Sequence, residues 1–109
     1  MTVVNVRSGQ TYDVYVGRGR GSVWGNPYSI GKDGSREEVI MKYEKHLIDE
    51  ILNGVKTQGD LASLYGKTLG CWCAPKPCHG DILEVFANKA HHMSKEGFFN
   101  WIRSVRLFL

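Results

Sequence analysis

No stretch of this 109-residue chain approaches the roughly 20 apolar residues that a membrane-spanning helix needs. No basic segment followed by an apolar one opens it. Neither insertion nor export is signalled, and the chain reads as cytoplasmic with no membrane partner. Charge of one sign is scarce too: fourteen Lys and Arg against eleven Asp and Glu leave a formal +3, short of the strongly basic balance of a dedicated nucleic-acid binder. The apolar-poor, charge-rich composition of a disordered chain is missing, with 42% of residues hydrophobic and 23% charged. Length excludes a two-domain enzyme, since domains commonly run to roughly 100–150 residues. Cysteines are few and bunched: Cys71, Cys73 and Cys78 lie far closer together than the framework of a secreted disulfide domain, so they read as reduced thiols.

What is present is an alternation of strand and helix signals. Residues 2–7 and 12–16, rich in Val and Tyr and separated by Ser8-Gly9-Gln10, read as two adjacent antiparallel strands. The glycine-rich stretch 17–34 is too broken for a regular element and reads as a structured loop. Ser35 with Glu38 three residues on has capping-box spacing, and Val39, Ile40, Tyr43, Leu47, Ile48, Ile51 and Leu52 form one apolar stripe that ends before Asn53-Gly54. A short helix over 60–65 and a third strand over 67–73 follow, the strand halted by Ala74-Pro75-Lys76-Pro77. A third helix is predicted from His79 or Gly80 to Lys89, with Ile82, Leu83, Val85 and Phe86 inward. In the tail, Phe98, Trp101, Ile102, Val105 and Leu109 fall at helical spacing opposite Arg103 and Arg106. The fold class is therefore α/β: a single small domain over residues 1–90, with a three- to four-stranded sheet and packed helices, Rossmann-like at most. Residues 91–109 add an amphipathic helix that packs on this domain or forms an interface such as a homodimer.

The densest group of reactive side chains is Gly70-Cys71-Trp72-Cys73, continued by Pro77-Cys78-His79-Gly80-Asp81. Residues two apart on a strand share a face, so Cys71 and Cys73 would present their sulfurs side by side, and the double-proline turn can swing Cys78 and His79 back toward them. Three thiolates and an imidazole are a common tetrahedral zinc set. A two-residue step is not the usual zinc knuckle, however, and adjacent Cys78 and His79 do not readily bind one ion. Two alternatives stand beside zinc. Cys71 and Cys73 can be small hydrophobes of a central strand. Cys78 or His79 can be catalytic at the first turn of a helix, where unpaired N–H groups favour an anion, with Asp81 orienting the pair or stabilising that turn.

The second feature is the Gly-Arg loop, Gly17-Arg18-Gly19-Arg20-Gly21, leading to Trp24-Gly25-Asn26-Pro27. Glycines let backbone N–H groups approach an anion, and Arg18 and Arg20 can clamp phosphate. The dinucleotide fingerprint and the Walker pattern both fail. Gly17, Arg18, Arg20, Trp24 and Asn26 are the candidate ligand-binding residues, and a tight surface loop stitched by Trp24 is the structural alternative. Of the other histidines, His46 reads as solvent-facing on the long helix.

Taken in order, Val14-Tyr15-Val16-Gly17-Arg18, Trp24-Gly25-Asn26-Pro27, Ser35-Arg36-Glu37-Glu38 and the two cysteine blocks resemble the domain of unknown function 4326 family, small proteins of bacteria and many bacteriophages. The resemblance spans roughly residues 2–90. It implies which residues matter, with no activity to carry over, and would place a phage-encoded chain in the host cytoplasm. If the second and third strands are parallel neighbours, the Gly-Arg loop and the cysteine block open at one sheet edge, where α/β sheets bind ligands. The leading expectation is a nucleotide or nucleotide-like phosphate ligand, with Cys78, His79 and Asp81 as acid, base or nucleophile should the protein be an enzyme. A zinc-stabilised nucleic-acid-binding module and a phage-type protein that inhibits a host factor are the alternatives.

Overall fold

A computed structural model describes residues 2–19 and 22–109. Its three strands, β1 (Thr2–Asn5), β2 (Val14–Tyr15) and β3 (Thr68–Cys71), form one parallel sheet in the order β1-β3-β2. The strands expected to pair antiparallel, β1 and β2, are parallel and separated by β3. Register explains how so short a link achieves this. Asn5 pairs with Cys71 and Val14 with Leu69, so the connecting segment retreats by only two residues of β3 while it crosses that strand. It crosses above Gly70, where an added Cβ would lie 2.6 Å from the Tyr12 ring. A glycine at the centre of β3 is what lets the crossing chain sit so close. Leu69, Gly70 and Cys71 are buried in succession, as befits a strand covered on both faces.

Helix α1 (Arg36–Leu52) starts at the expected capping box: Ser35 Oγ accepts from the Glu38 amide, and Glu38 Oε1 accepts from the Ser35 amide. Its buried face is Val39, Tyr43, Leu47, Ile48 and Ile51. The next helix, α2 (Gln58–Ala62), begins earlier than expected. Asp60 is the third residue of a second capping box with Thr57 and so lies within the first turn. Helix α3 (His79–His92) buries Leu83, Phe86, Ala87 and Ala90, spacing that turns Val85 outward, and Val85 is half exposed. Helix α4 (Lys95–Arg106) buries Phe98 and Ile102 in the common core with Leu47, Leu61, Leu69 and Leu83. Leu109, expected on the apolar face, is exposed. Among the described residues, no helix is long and apolar enough to cross a membrane.

Candidate functional site

The parallel arrangement brings the carboxyl ends of β2 and β3 to the same edge of the sheet, and the amino ends of α1 and α3 close over that edge. Between them lies a cavity of about 370 Å³, within the size range of small-ligand sites and at the position where α/β sheets bind ligands. Tyr15, Gly17 and Arg18 line it after β2, Cys71, Trp72 and Cys73 after β3, Arg36, Val39 and Ile40 on α1, and Pro77, Cys78 and His79 at the start of α3.

The Gly-Arg loop owes its shape to its own hydrogen bonds. Arg18 donates from Nε to the Asn26 carbonyl (2.8 Å), from one terminal nitrogen to Ser29 Oγ (2.9 Å) and from the other to the Tyr28 carbonyl. Asn26 is buried, donating to the Val39 carbonyl and accepting from the Tyr28 amide. Gly25 lies against the Gly17 backbone, so that an added Cβ would come 3.0 Å from the Gly17 carbonyl oxygen. Trp24 is buried away from the cavity lining. Its carbonyl accepts from the Tyr43 hydroxyl at 2.9 Å, and Lys56 Nζ sits 5.4 Å from its ring centroid. Arg20, a candidate phosphate ligand, lies outside the described residues.

At the entrance to α3, Cys78 takes the place that Ser or Thr occupies in a capping box. Its sulfur accepts from the Gly80 amide (3.3 Å), and Asp81 Oδ2 accepts from the Cys78 amide (3.0 Å). Asp81 is thereby engaged as a helix cap. His79 is buried with its ring edge on Tyr43, and its Nε2 lies 2.5 Å from the Val16 carbonyl. A carbonyl only accepts, so Nε2 carries the proton. Burial holds the His79 pKa below its usual value, with the Arg18 charge adding to the effect, and the ring is neutral at pH 7.

The sign of the resulting pH dependence follows. A histidine whose folded pKa is depressed below the unfolded 6.5 contributes stability that is present above about that pH and is lost as the pH falls through the window beneath it. His79→Gln retains a donor for Val16 and does not titrate. The melting temperature of the variant is expected to fall less than that of the parent between pH 7 and pH 5. Equal slopes would remove His79 from the acid response.

The thiols pair differently from the sequence expectation. β3 ends at Cys71 and the chain then turns, so Cys73 is not on the same strand face. The sulfur facing Cys71 belongs to Cys78, at 3.1 Å. Either sulfur can donate its S–H to the other. That hydrogen bond, with the Cys73 and Ala74 amides, holds the Cys71 thiol well below the usual range against the opposing effect of burial. The same pairing, burial and the Cys71 charge push Cys78 up. Among the described residues no three His, Cys, Asp or Glu side chains converge as metal ligands. Of the expected zinc set Cys71, Cys73, Cys78 and His79, the structure brings the Cys71 and Cys78 sulfurs together and directs His79 Nε2 at the Val16 carbonyl.

Sequence reasoning missed Arg36, Tyr15 and Tyr28 as site residues. Arg36, the first residue of α1, reaches across to the Pro77 carbonyl (3.0 Å), a position signalled only by its place after the Ser35 cap. The Tyr15 hydroxyl accepts from Trp72 Nε1 (2.8 Å) and donates to the Arg18 carbonyl (2.6 Å), joining the two loops at the mouth. Trp72 is 52% exposed, and the Arg7 guanidinium stands 4.9 Å from its ring centroid.

The model of a family described as a domain of unknown function (DUF4326) matches residues 4–89. Over 71 residues the chain is 48% identical to the "Uncharacterized 12.4 kDa protein in nrdA-td intergenic region" of Enterobacteria phage T4, covering 64% of each chain. Over 90 residues it is 38% identical to "Uncharacterized protein R718" of Acanthamoeba polyphaga mimivirus, covering 68% of this chain and 65% of that one. The chain thus spans a little under two thirds of the length of each of these relatives. No solved structure matches it.

Proposed function

The chain belongs to the domain of unknown function 4326 family, and we propose that it binds a nucleotide or nucleotide-like phosphate ester in the cavity at the carboxyl edge of its sheet. The observation that carries this reading is the composition of that one cavity: two arginines, a half-exposed tryptophan and an apolar wall of Val39 and Ile40 line the same space. A guanidinium has five N–H donors. Among the described residues Arg18 spends three on its own loop, leaving two for a phosphate and a geometry already held rigid. Arg36 supplies a second cation at the amino end of α1, where the helix dipole favours an anion. Trp72 and Tyr28 offer aromatic surface for a base. The +3 charge is weak support for a polyanion, which favours a single phosphate ester over a nucleic-acid strand. His79 and Asp81 are engaged in holding α3, which favours binding over proton transfer by that pair.

A titration with nucleoside monophosphates, nucleosides and inorganic phosphate tests the reading. A ligand at 100 times its dissociation constant stabilises the fold by about 2.7 kcal/mol, so the melting temperature is expected to rise with the phosphate esters and hardly with nucleosides. If only short single-stranded DNA raises it, and that effect collapses with salt, the nucleic-acid reading replaces this one.

A further inference from the structure

We infer that Cys71 and Cys78 form a peroxide-oxidisable dithiol at the floor of the cavity, which closes to a Cys71–Cys78 disulfide. The inference is independent of which ligand the cavity takes. The two sulfurs already touch at 3.1 Å, and a bond requires them to close to roughly 2.05 Å. They sit on different elements, Cys71 at the end of β3 and Cys78 at the cap of α3. Pro75, Lys76 and Pro77 in the connecting turn are exposed and are not held in a packed core. Both cysteines line the cavity, yet Cys71 is 1% exposed and Cys78 3%. A bulky protein disulfide cannot reach them, whereas a small hydroperoxide enters a cavity of about 370 Å³. Cys73 is the third thiol and takes no part in the contact.

The two sulfurs have unlike surroundings, which sets their order of reaction. The contact with Cys78 holds the Cys71 thiol below its usual range, which makes Cys71 the first thiolate. Its sulfur attacks the distal oxygen of the hydroperoxide: the S–O bond forms, the O–O bond breaks, and the departing oxygen takes up a proton and leaves as water or an alcohol. Cys78 then attacks the sulfur of the Cys71 sulfenic acid. The S–S bond forms, the S–O bond breaks, and the hydroxyl leaves as water with the proton from Cys78. Two electrons pass from the thiols to the peroxide, and two thiols plus one hydroperoxide give one disulfide plus water and an alcohol, or two waters from hydrogen peroxide. The product ties β3 to the first turn of α3.

The test treats the full chain with equimolar hydrogen peroxide, then denatures it in excess N-ethylmaleimide for peptide mapping. The expected product is a Cys71–Cys78 linked peptide with Cys73 alkylated, reversed by dithiothreitol, formed at least about tenfold faster than in the urea-unfolded chain. Cys73→Ser is expected to leave this unchanged, and Cys78→Ser to leave a Cys71 sulfenic acid that dimedone traps. Full alkylation of all three cysteines after peroxide overturns the inference, as does a disulfide that includes Cys73. Stoichiometric zinc that copurifies and protects Cys71 and Cys78 overturns it equally. The parent and Cys73→Ser keep the test decisive should Cys78→Ser fail to fold.

Discussion

Deleting residues 94–109 is expected to unfold the protein. Phe98 and Ile102 on α4 are fully buried, and Trp101 stacks edge-on against Phe86 of α3 at 4.9 Å. Truncating one buried Phe to Ala typically costs about 3–5 kcal/mol, a large share of the about 5–15 kcal/mol that holds a domain together. The Arg106–Asp49 pair at 3.2 Å is half exposed on both sides and contributes little beside this. Phe98→Ala should therefore lower the urea midpoint sharply, and the deletion should show no cooperative transition by circular dichroism. A folded 1–93 fragment would mean that the core closes without α4. The prediction also separates fold from family signature, because the match to the family ends at residue 89 while the core continues to Ile102.

Replacing Arg36 by Ala is expected to weaken nucleoside monophosphate binding by about 10- to 150-fold, the loss of one charge-assisted contact of about 1.5–3 kcal/mol. The melting temperature of the ligand-free protein should hardly move, since among the described residues the side chain makes a single exposed hydrogen bond, to the Pro77 carbonyl. Arg18→Ala forms the contrast. It removes three donors that hold Asn26, Tyr28 and Ser29 in place, so affinity and stability should fall together. Calorimetric titration of both variants, with thermal melts of each, reads the two effects separately. Unchanged affinity in Arg36→Ala would take the phosphate away from the amino end of α1.

The helices were legible because their signals are local. The Ser35–Glu38 box and the apolar stripe to Leu52 place α1 to within a residue. Sheet order was not legible. The Val-rich segments β1 and β2 are close in sequence and suggest a hairpin, and only the tertiary crossing of Tyr12 over Gly70 places β3 between them. The site divides in the same way. Its location could be read from the glycine loop and the cysteine blocks, since both follow strands that end at one edge. What each side chain does could not be read, because partners distant in sequence decide it. His79 answers to Val16, 63 residues away, and Cys71 to Cys78 across a proline turn. Arg36 joins the site only because α1 starts beside α3.

The most direct test of a phosphate-ester site at the carboxyl edge of the sheet is a nitrogen-15 spectrum of the three tryptophan indoles during titration with a nucleoside monophosphate. Trp72 lines the cavity and its indole N–H bonds Tyr15 at the mouth, whereas Trp101 lies on α4 against Phe86. The Trp72 indole signal should move saturably with ligand while that of Trp101 stays fixed. A spectrum in which Trp72 does not move, while a ligand-induced change appears at Trp101 or nowhere, would contradict a binding site in this cavity.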